Sequence, residues 1–217
     1  MSLAIFDLDN TLIAGDSDHL WGEFLIEQGW VDPAVYQAEN DRFYRDYQNG
    51  GLDIHAYLAF ALAPLRGYTP TDLKDLHQAF MTQKIDPIWL PKAEALIEEH
   101  RGRGDTLLII TATNRFITEP IARKLGVPHL LASEPELVEG CYTGRATGTP
   151  CFQGGKVTRL REWLALTDQP LESSYFYSDS ANDIPLLEAV SHPIAVDPDP
   201  RLLAYAQRKD IPIISLR

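Results

Sequence analysis

Short apolar segments alternate with segments of helical periodicity along most of this 217-residue chain, and that alternation constrains the fold most strongly. The predicted strands are residues 3–6, 107–110, 174–177, 194–196 and 213–216. The predicted helices are residues 91–101, 116–125, 156–165, 184–190 and 201–208. Each strand segment is nearly all apolar, as expected of strands buried on both faces of a parallel sheet. The pattern predicts an α/β fold, with a Rossmann-like parallel sheet covered by helices.

The stretch from residue 15 to residue 85 breaks this alternation, because it contains helical patterns and no convincing strand. Its first helix has apolar residues at positions 20, 21, 24 and 25, with Asp16 or Ser17 as its N-cap. Further helices are predicted at residues 36–47, 54–62 and 73–80. We therefore expect an α/β core formed by residues 1–14 and 86–217, with residues 15–85 as a helical insert. A second irregular piece, residues 133–154, contains a predicted hairpin that turns near Glu139-Gly140.

Composition excludes several classes of partner. The chain carries 31 acidic and 19 basic residues and a net charge of −12. That charge disfavours nucleic acid and anionic membrane surfaces as partners. No apolar run approaches the length of a membrane span, and the apolar N-terminal run lacks the cationic region of a signal peptide. The two cysteines, Cys141 and Cys151, are expected to be reduced thiols in a cytoplasmic protein.

The sequence Asp7-Leu8-Asp9-Asn10-Thr11 directly follows the first strand. The carboxyl ends of strands are where ligands bind in open α/β sheets. Two carboxylates spaced two residues apart repel each other unless a cation or a proton lies between them. Because Mg²⁺ prefers oxygen ligands, these residues indicate a site for that ion. The alternative is that Asp9 or Thr11 only caps a turn or a helix.

Three further segments carry chemistry. Asp179 and Asp183 follow the strand at 174–177, and both strand ends fall on one edge of a parallel sheet, so these acids can converge with the first pair. Thr111 ends another strand, next to small residues and a helix start, which suits an oxyanion. Lys156 follows two glycines. Taken alone, Asp183 and Thr111 are equally typical of helix N-termini, and Lys156 of a solvated surface.

Together these four segments, in this order, resemble the motifs of the haloacid dehalogenase superfamily of phosphohydrolases. The residues from Asp7 to Leu12 match its first motif, and Thr111 matches its second. Lys156 matches the third motif and residues 179–183 match the fourth. The helical insert is similar to the superfamily's type-one cap. The resemblance covers the whole chain and is closest to the phosphoserine-phosphatase-like branch (subfamily IB), some bacterial members of which act on histidinol phosphate.

The resemblance implies a Mg²⁺-dependent phosphatase for small phosphate monoesters. Asp7 would be the nucleophile and would form an aspartyl-phosphate, with Asp9 as general acid and base. The implied metal ligands are Asp7, the backbone carbonyl of Asp9, and Asp179, with Asp183 and Asn182 in supporting positions. The implied phosphate-binding residues are Asn10, Thr111, Ala112 and Lys156.

Substrate choice is expected to come from the insert, where eleven acids and five bases account for half of the net charge. An acidic and aromatic lining would suit a small cationic amine or imidazole. A solvated helix surface over an aromatic core is the alternative for the insert as a whole. At the position where phosphoserine phosphatases carry a glutamate, this chain has Asp16. The candidate substrate contacts are Asp16, Asp18, His19, Arg42, Arg45 and Asn114.

Three other functions remain open at the level of sequence. A phosphotransferase would pass the phosphoryl group from Asp7 to a second alcohol instead of to water. A receiver-like phosphoacceptor protein also uses acids, Thr and Lys around Mg²⁺. It has no place for the insert, however, and it carries its acceptor Asp after the third strand. A binding module with an inactive site is disfavoured, because no motif residue is missing.

Overall fold

The computed structural model describes residues 2–217 and places seven strands in one mixed sheet. The strands are β1 (Leu3–Phe6), β2 (Thr106–Asn114), β3 (His129–Val138), β4 (Cys141–Thr147), β5 (Tyr175–Ser178), β6 (His192–Val196) and β7 (Ile213–Ile214). Their order is β4-β3-β2-β1-β5-β6-β7, and every neighbouring pair is parallel except β3 with β4. The α/β fold predicted from the alternating pattern is confirmed.

Nine helices accompany the sheet within the described residues. They are α1 (Ser17–Glu27), α2 (Pro33–Asn49), α3 (Ile54–Leu62), α4 (Lys74–Phe80), α5 (Pro91–Gly102), α6 (Arg115–Lys124), α7 (Gly154–Thr167), α8 (Ile184–Leu187) and α9 (Pro200–Arg208). The four helices α1 to α4 all lie within residues 15–85. Where the chain leaves the core and returns to it, Ile13 pairs with Trp89 in an isolated antiparallel bridge. Both ends of the insert are thus held side by side.

The two faces of the sheet bury different residues because side chains alternate along a strand. Ala4 and Phe6 of β1 belong to the hydrophobic cluster that also contains Trp21, Phe24 and Phe80 of the insert. Leu3 and Ile5 belong to a second cluster on the opposite face, packed with residues of α7, α8 and α9. Strand β1 is therefore buried on both sides, and the residues that follow it start from a rigid position.

The structure differs from the predicted elements in several places, among them β3 and α8. Residues 133–154 are predicted to be irregular, but β3 begins at His129, and its first residues pair in parallel with Leu108–Ile110 of β2. Its second half forms the predicted hairpin with β4, where Glu139 and Gly140 adopt positive φ angles of 50° and 81°. The predicted helix at 184–190 is shorter and ends at Leu187.

The structure also shows the cap of α1 and the state of the two cysteines. Asp16 is the N-cap of α1, since its side chain accepts hydrogen bonds from the backbone amides of Asp18 and His19. Cys141 and Cys151 are both free thiols, and burial raises the pKa of Cys151 to about 12. Among residues 2–217, no helix combines the length and the apolar character needed to cross a bilayer.

Candidate active site

The central strand β1 lies between β2 and β5, so the carboxyl ends of these three strands meet at one point of the sheet edge. Asp7 follows β1, Thr111 lies near the end of β2, and Asp179 follows β5. The backbone amide of Asp7 donates to the carbonyl of Tyr177 at 2.9 Å, which continues the pairing beyond the last residue of β1. The sheet thus brings together the side chains that the four sequence segments supply.

Lys156 lies between two buried carboxylates. Its Nζ is 2.8 Å from Oδ1 of Asp7 and 2.8 Å from a carboxylate oxygen of Asp183, and all three side chains are buried. Asp183 also accepts a 2.7 Å hydrogen bond from Ser178. Burial alone would lower the pKa of Lys156, but the charges of Asp183 and Asp7 more than offset it and raise that pKa. Lys156 is therefore held as a cation beside Asp7.

Asp7 itself is under opposing influences. Burial raises its pKa to about 7, the charge of Lys156 acts in the other direction, and the charge of Asp183 adds to the increase. Lys156 bonds one oxygen of the carboxylate, Oδ1, at a fixed position. The arrangement gives an oriented carboxylate at the floor of a cavity.

Asp9 is buried beside Asp7 and is held at both of its oxygens. Oδ1 accepts a 2.7 Å hydrogen bond from the backbone amide of Ser17, and Oδ2 accepts a 2.8 Å hydrogen bond from the Thr113 hydroxyl. Burial, followed by the charge of Asp16, raises the pKa of Asp9 to about 6. A carboxyl with such a pKa can both donate and accept a proton near neutral pH.

Asp179 lies on the other side of Asp7 and is bound to the first motif. Its Oδ1 accepts a 3.1 Å hydrogen bond from the Thr11 hydroxyl, while its backbone amide donates to the same hydroxyl at 3.0 Å. Burial and then the charge of Asp7 raise the pKa of Asp179 well above its usual value. Asp179 and Asn10 line a cleft that adjoins the cavity above Asp7.

Asn182 connects the fourth motif to the insert. Its Nδ2 donates a 3.1 Å hydrogen bond to the backbone carbonyl of Tyr47 on α2, and Gln153 donates to its Oδ1 at 3.4 Å. Tyr47 in turn lines both the cavity and the adjoining cleft. Asn182 thus fixes the position of α2 over the sheet edge.

The cavity extends from Asp7 and Asp9 into the insert. Residues from both regions line it: Asp7, Asp9, Asp16, Asp18, His19, Asn40, Phe43, Tyr44, Tyr47, Leu52, Ile54, Tyr57, Thr111, Ala112 and Thr113. Burial raises the pKa of Asp16 and raises that of Asp18 further above its usual value. His19 stacks on Tyr44 with 4.5 Å between ring centroids, and its Nδ1 is 3.1 Å from Nδ2 of Asn40. None of the described lining residues is a lysine or an arginine.

Three of the candidate substrate contacts lie elsewhere. Asn114 is buried at the start of α6 and caps that helix by accepting from the amide of Ile117. Arg42 is exposed on α2 and forms ion pairs with Glu39 and Asp46. Arg45 is also exposed on α2. The structure does not place these three side chains in the lining of the cavity.

Sequence reasoning missed several residues that shape the site. Thr113 holds Asp9, and the period of two along β2 could have indicated it, because Thr113 shares a strand face with Thr111. Ser178 holds Asp183 and immediately precedes the fourth motif. Tyr44 and Tyr57 line the insert side of the cavity. The number of aromatic residues in the insert pointed to such a wall without identifying its members.

The oxygen ligands suit a hard cation, although the side chains alone do not form a complete site. Within residues 2–217, no three Asp, Glu, His or Cys side chains gather closely enough to hold a metal ion by themselves. The predicted set contains only two carboxylates, Asp7 and Asp179, and takes its third oxygen from the backbone of Asp9. Asp7 raises the pKa of Asp179, so a positive charge between the two would relieve their repulsion. The residues therefore fit Mg²⁺.

A sequence profile for haloacid dehalogenase-like hydrolases matches residues 4–188, and the chain belongs to that family. A histidinol-phosphatase from Neisseria meningitidis serogroup C is 46% identical over 220 residues, which span 100% of this chain and 99% of the relative. The phosphoserine phosphatase SerB1 of Mycobacterium tuberculosis is 31% identical over 210 residues, which span 95% of this chain and 68% of the relative.

Solved structures show the same fold. A protein of unknown function from Bordetella pertussis Tohama I, 44% identical, superposes with a TM-score of 0.93 over 100% of this chain and 99% of the other. A phosphoserine phosphatase with an analogue of the phospho-aspartyl intermediate, 20% identical, superposes with a TM-score of 0.69 over 100% and 93% of the two chains. The predicted hydrolase class is confirmed: the chain is a phosphomonoesterase of this family.

Proposed function

We propose that this enzyme is a Mg²⁺-dependent phosphatase that hydrolyses the phosphate ester of a small amino alcohol through an aspartyl-phosphate on Asp7. One observation carries the proposal. A single cavity runs from the oriented carboxylates Asp7 and Asp9 to the acidic residues Asp16 and Asp18 of the insert. A phosphate group at one end and a cationic group at the other match the chemistry of that cavity.

The reaction begins with Asp7, which attacks phosphorus while Lys156 holds its Oδ1. The bond from phosphorus to the alcohol oxygen breaks, and protonated Asp9 gives its proton to the departing alkoxide. Asp9 then takes a proton from the water that attacks the aspartyl-phosphate, which restores Asp7 and releases inorganic phosphate. Hydrogen bonds from Ser17 and Thr113 keep Asp9 in place for both steps.

The phosphoryl oxygens are negative, and the site must offset that charge. Lys156, the Thr111 hydroxyl and backbone amides near Asn10 and Ala112 are the proposed partners of these oxygens. Asp7, Asp179 and the backbone carbonyl of Asp9 are the residues that would hold Mg²⁺. When bound, Mg²⁺ supplies further positive charge to screen the phosphoryl group from the attacking carboxylate.

The lining of the cavity favours an amino alcohol over an amino acid. Phosphoserine carries a carboxylate as well as an amine, and a buried carboxylate needs a cationic partner. No lysine or arginine is among the described lining residues, so the cavity wall offers such a carboxylate no cationic side chain of that kind. The relative named histidinol-phosphatase, which aligns over this whole chain, supports the same choice.

Phosphate release from purified enzyme tests the proposal, with histidinol phosphate, phosphoethanolamine, phosphoserine and a sugar phosphate as substrates. We expect turnover with Mg²⁺, preference for the amino-alcohol esters, and loss of activity in excess EDTA. Asp7→Asn should lower kcat by at least about 10⁴-fold, because it removes the nucleophile. Its fold should persist, since Lys156 keeps its bond to Asp183.

Asp75→Asn, which changes the same charge at an exposed residue of α4, is the matched control and should keep full activity. Full turnover by the Asp7→Asn variant, or in excess EDTA, would contradict the mechanism. A clear preference for phosphoserine or for the sugar phosphate would contradict the substrate class. Adding an alcohol acceptor and measuring the products separates hydrolysis from phosphoryl transfer.

A further inference from the structure

The carboxylate of Asp18 has one oxygen without a partner at the insert end of the cavity. The residue lines the cavity with a relative exposure of 5%, and its Oδ2 makes no hydrogen bond to any described residue. A buried carboxylate that lacks a partner is costly to a folded protein. Such a group in a cavity therefore points to a ligand that supplies the missing donor.

Asp16 and Asp18 both line the cavity, beside other buried carboxylates. The charge of Asp16 contributes to the raised pKa of Asp9, and the charge of Asp7 contributes to that of Asp16. The charges that act on Asp18 come first from Asp16 and then from Asp9.

The two acids differ in how they are satisfied. Oδ1 of Asp16 accepts the backbone amides of Asp18 and His19 at 3.0 and 2.9 Å. The Tyr57 hydroxyl lies beside the Asp18 carboxylate, and its hydrogen bond lowers the pKa of Asp18 against the larger, opposite effect of burial. Burial, together with the charge of Asp16, raises the pKa of Asp18 well above its usual value. A cationic or N–H-bearing group beside it would reverse that cost.

The cavity that Asp18 lines has an aromatic wall. Phe43, Tyr44 and Tyr57 line this cavity, together with Leu52 and Ile54, and Tyr57 lies beside Asp18. A flat ring fits between such side chains, and a protonated ring gains further from the faces of aromatic residues. An aliphatic ammonium would satisfy the charge of Asp18 but would leave this aromatic wall without a partner.

We propose that Asp18 is a specificity-determining residue that binds the N–H of a nitrogen-containing aromatic ring on the substrate. The inference rests on the proposed function and deepens it. The substrate class becomes a phosphorylated amino alcohol that carries an imidazole-like ring. Asp18 selects that ring against an apolar ring of similar size.

Two esters that differ in this feature test the role of Asp18. Histidinol phosphate and phenylalaninol phosphate share the amine and the phosphate, but only the first has ring nitrogens. We expect wild-type kcat/KM to favour histidinol phosphate by about 10- to 100-fold, as one charged hydrogen bond allows. Asp18→Asn should remove most of that preference by lowering kcat/KM for histidinol phosphate, with less than about 3-fold change for phenylalaninol phosphate.

A binding measurement tests Asp18 independently of turnover. Histidinol should raise the Tm of the wild-type enzyme more than phenylalaninol does, and Asp18→Asn should abolish the difference. Asp75→Asn should leave both comparisons unchanged. Unfolding curves establish that the Asp18→Asn protein is folded, and Tyr57→Phe, which keeps the acid, should retain the preference for the ring nitrogen.

The outcomes separate the two proposals. If wild-type enzyme hydrolyses none of the amino-alcohol esters, the proposed function fails, while the Tm comparison still decides the role of Asp18. If wild-type enzyme is active but Asp18→Asn keeps its preference for the ring nitrogen, the role of Asp18 is overturned. An equal loss on both esters also overturns it, since a general structural role would have that effect.

Discussion

The two ends of the cavity handle buried negative charge in opposite ways. At the core end, Asp7 and Asp183 share Lys156, and Asp9 accepts hydrogen bonds from Ser17 and Thr113. At the insert end, Asp18 keeps an oxygen without any partner among residues 2–217. The core end is preorganised by the fold, whereas the insert end is completed by what binds to it.

The difference follows from what each end has to do. A reacting carboxylate must already be oriented when the substrate arrives, because catalysis depends on groups that need no rearrangement. A recognition carboxyl group discriminates best when only the right ligand satisfies it, because a wrong ligand then leaves a buried polar oxygen without a partner. The same residue type thus serves two purposes according to its partners.

Replacing Lys156 by Met should cause the largest loss of stability and activity, because it leaves the carboxylates at the core end without their cation. The substitution leaves Asp7 and Asp183 buried without their shared cation, which should cost about 3–5 kcal/mol of unfolding free energy. Activity should fall on the order of 10³-fold, since positive charge at the phosphoryl site is also lost. Denaturant unfolding and phosphate release measure the two effects.

A double variant sharpens this test. Lys156→Met combined with Asp183→Asn removes one of the two stranded charges and should recover part of the lost stability without recovering activity. If Lys156→Met left stability unchanged, the carboxylates at the core end would not depend on this cation, and the contrast between the two ends would be wrong.

Asp9→Asn should lower turnover by an intermediate amount, and the size of the loss should depend on the leaving group of the ester. The amide cannot give a proton to an alkoxide, so turnover of an amino-alcohol phosphate should fall about 10²-fold. A p-nitrophenyl ester, whose phenol leaves without protonation, should lose much less activity in its first step. Burst kinetics with that ester would show aspartyl-phosphate accumulating, because the variant also lacks the base for hydrolysis.

The comparison of the two esters is what tests the role of Asp9. Equal loss on both would mean that Asp9 supports the site without moving a proton. Thr113→Val provides a structural control, since it removes a hydrogen bond to Asp9 and leaves its carboxyl group in place. Its effect should be smaller than that of Asp9→Asn and similar for the two esters.

The residues at the core end of the cavity could be predicted from the sequence, because short local segments determine where they lie. Asp7 and Asp179 lie directly after short buried strands, so their position along the chain fixes their position on the sheet edge. Lys156 lies early in α7 and was identified from its sequence motif. The residues to which it donates hydrogen bonds, Asp7 and Asp183, are 149 and 27 positions away in the chain. The sequence motifs and the strand order together were enough to predict that these residues lie close to one another.

The insert end could be predicted only in part. Asp16 and Asp18 stand close to β1 in sequence, which favoured them as site residues, and both line the cavity. Tyr57 lines the same cavity from α3, and no local sequence pattern fixes where α3 packs. The number of aromatic residues in the insert predicted an aromatic lining for the cavity but did not identify the residues that form it. Likewise, the parallel half of β3 was missed because His129 and Ser133 interrupt its apolar character.

The smallest expected effect concerns the stability of the free enzyme at the insert end. The pKa of Asp18 is raised in the folded state by burial, then by Asp16, so the folded protein keeps a proton there that the unfolded chain releases above pH 3.8. Stability contributed by the protonated form is therefore lost as pH rises towards the folded pKa. Asp18→Asn cannot lose this proton. Asp9, Asp16, Tyr36 and Tyr57 also face Asp18, and all remain in the variant.

We therefore expect the Tm of Asp18→Asn to equal or exceed that of wild type, with a difference of at most a few degrees that grows as the pH rises above 3.8. Thermal unfolding of both proteins without ligand measures it. Histidinol should narrow the gap at high pH, because its ring nitrogen stabilises the ionised Asp18 only in the wild-type enzyme. A gap that shrank with rising pH would mean that Asp18 is already paired in the free enzyme, and the two ends of the cavity would then be alike.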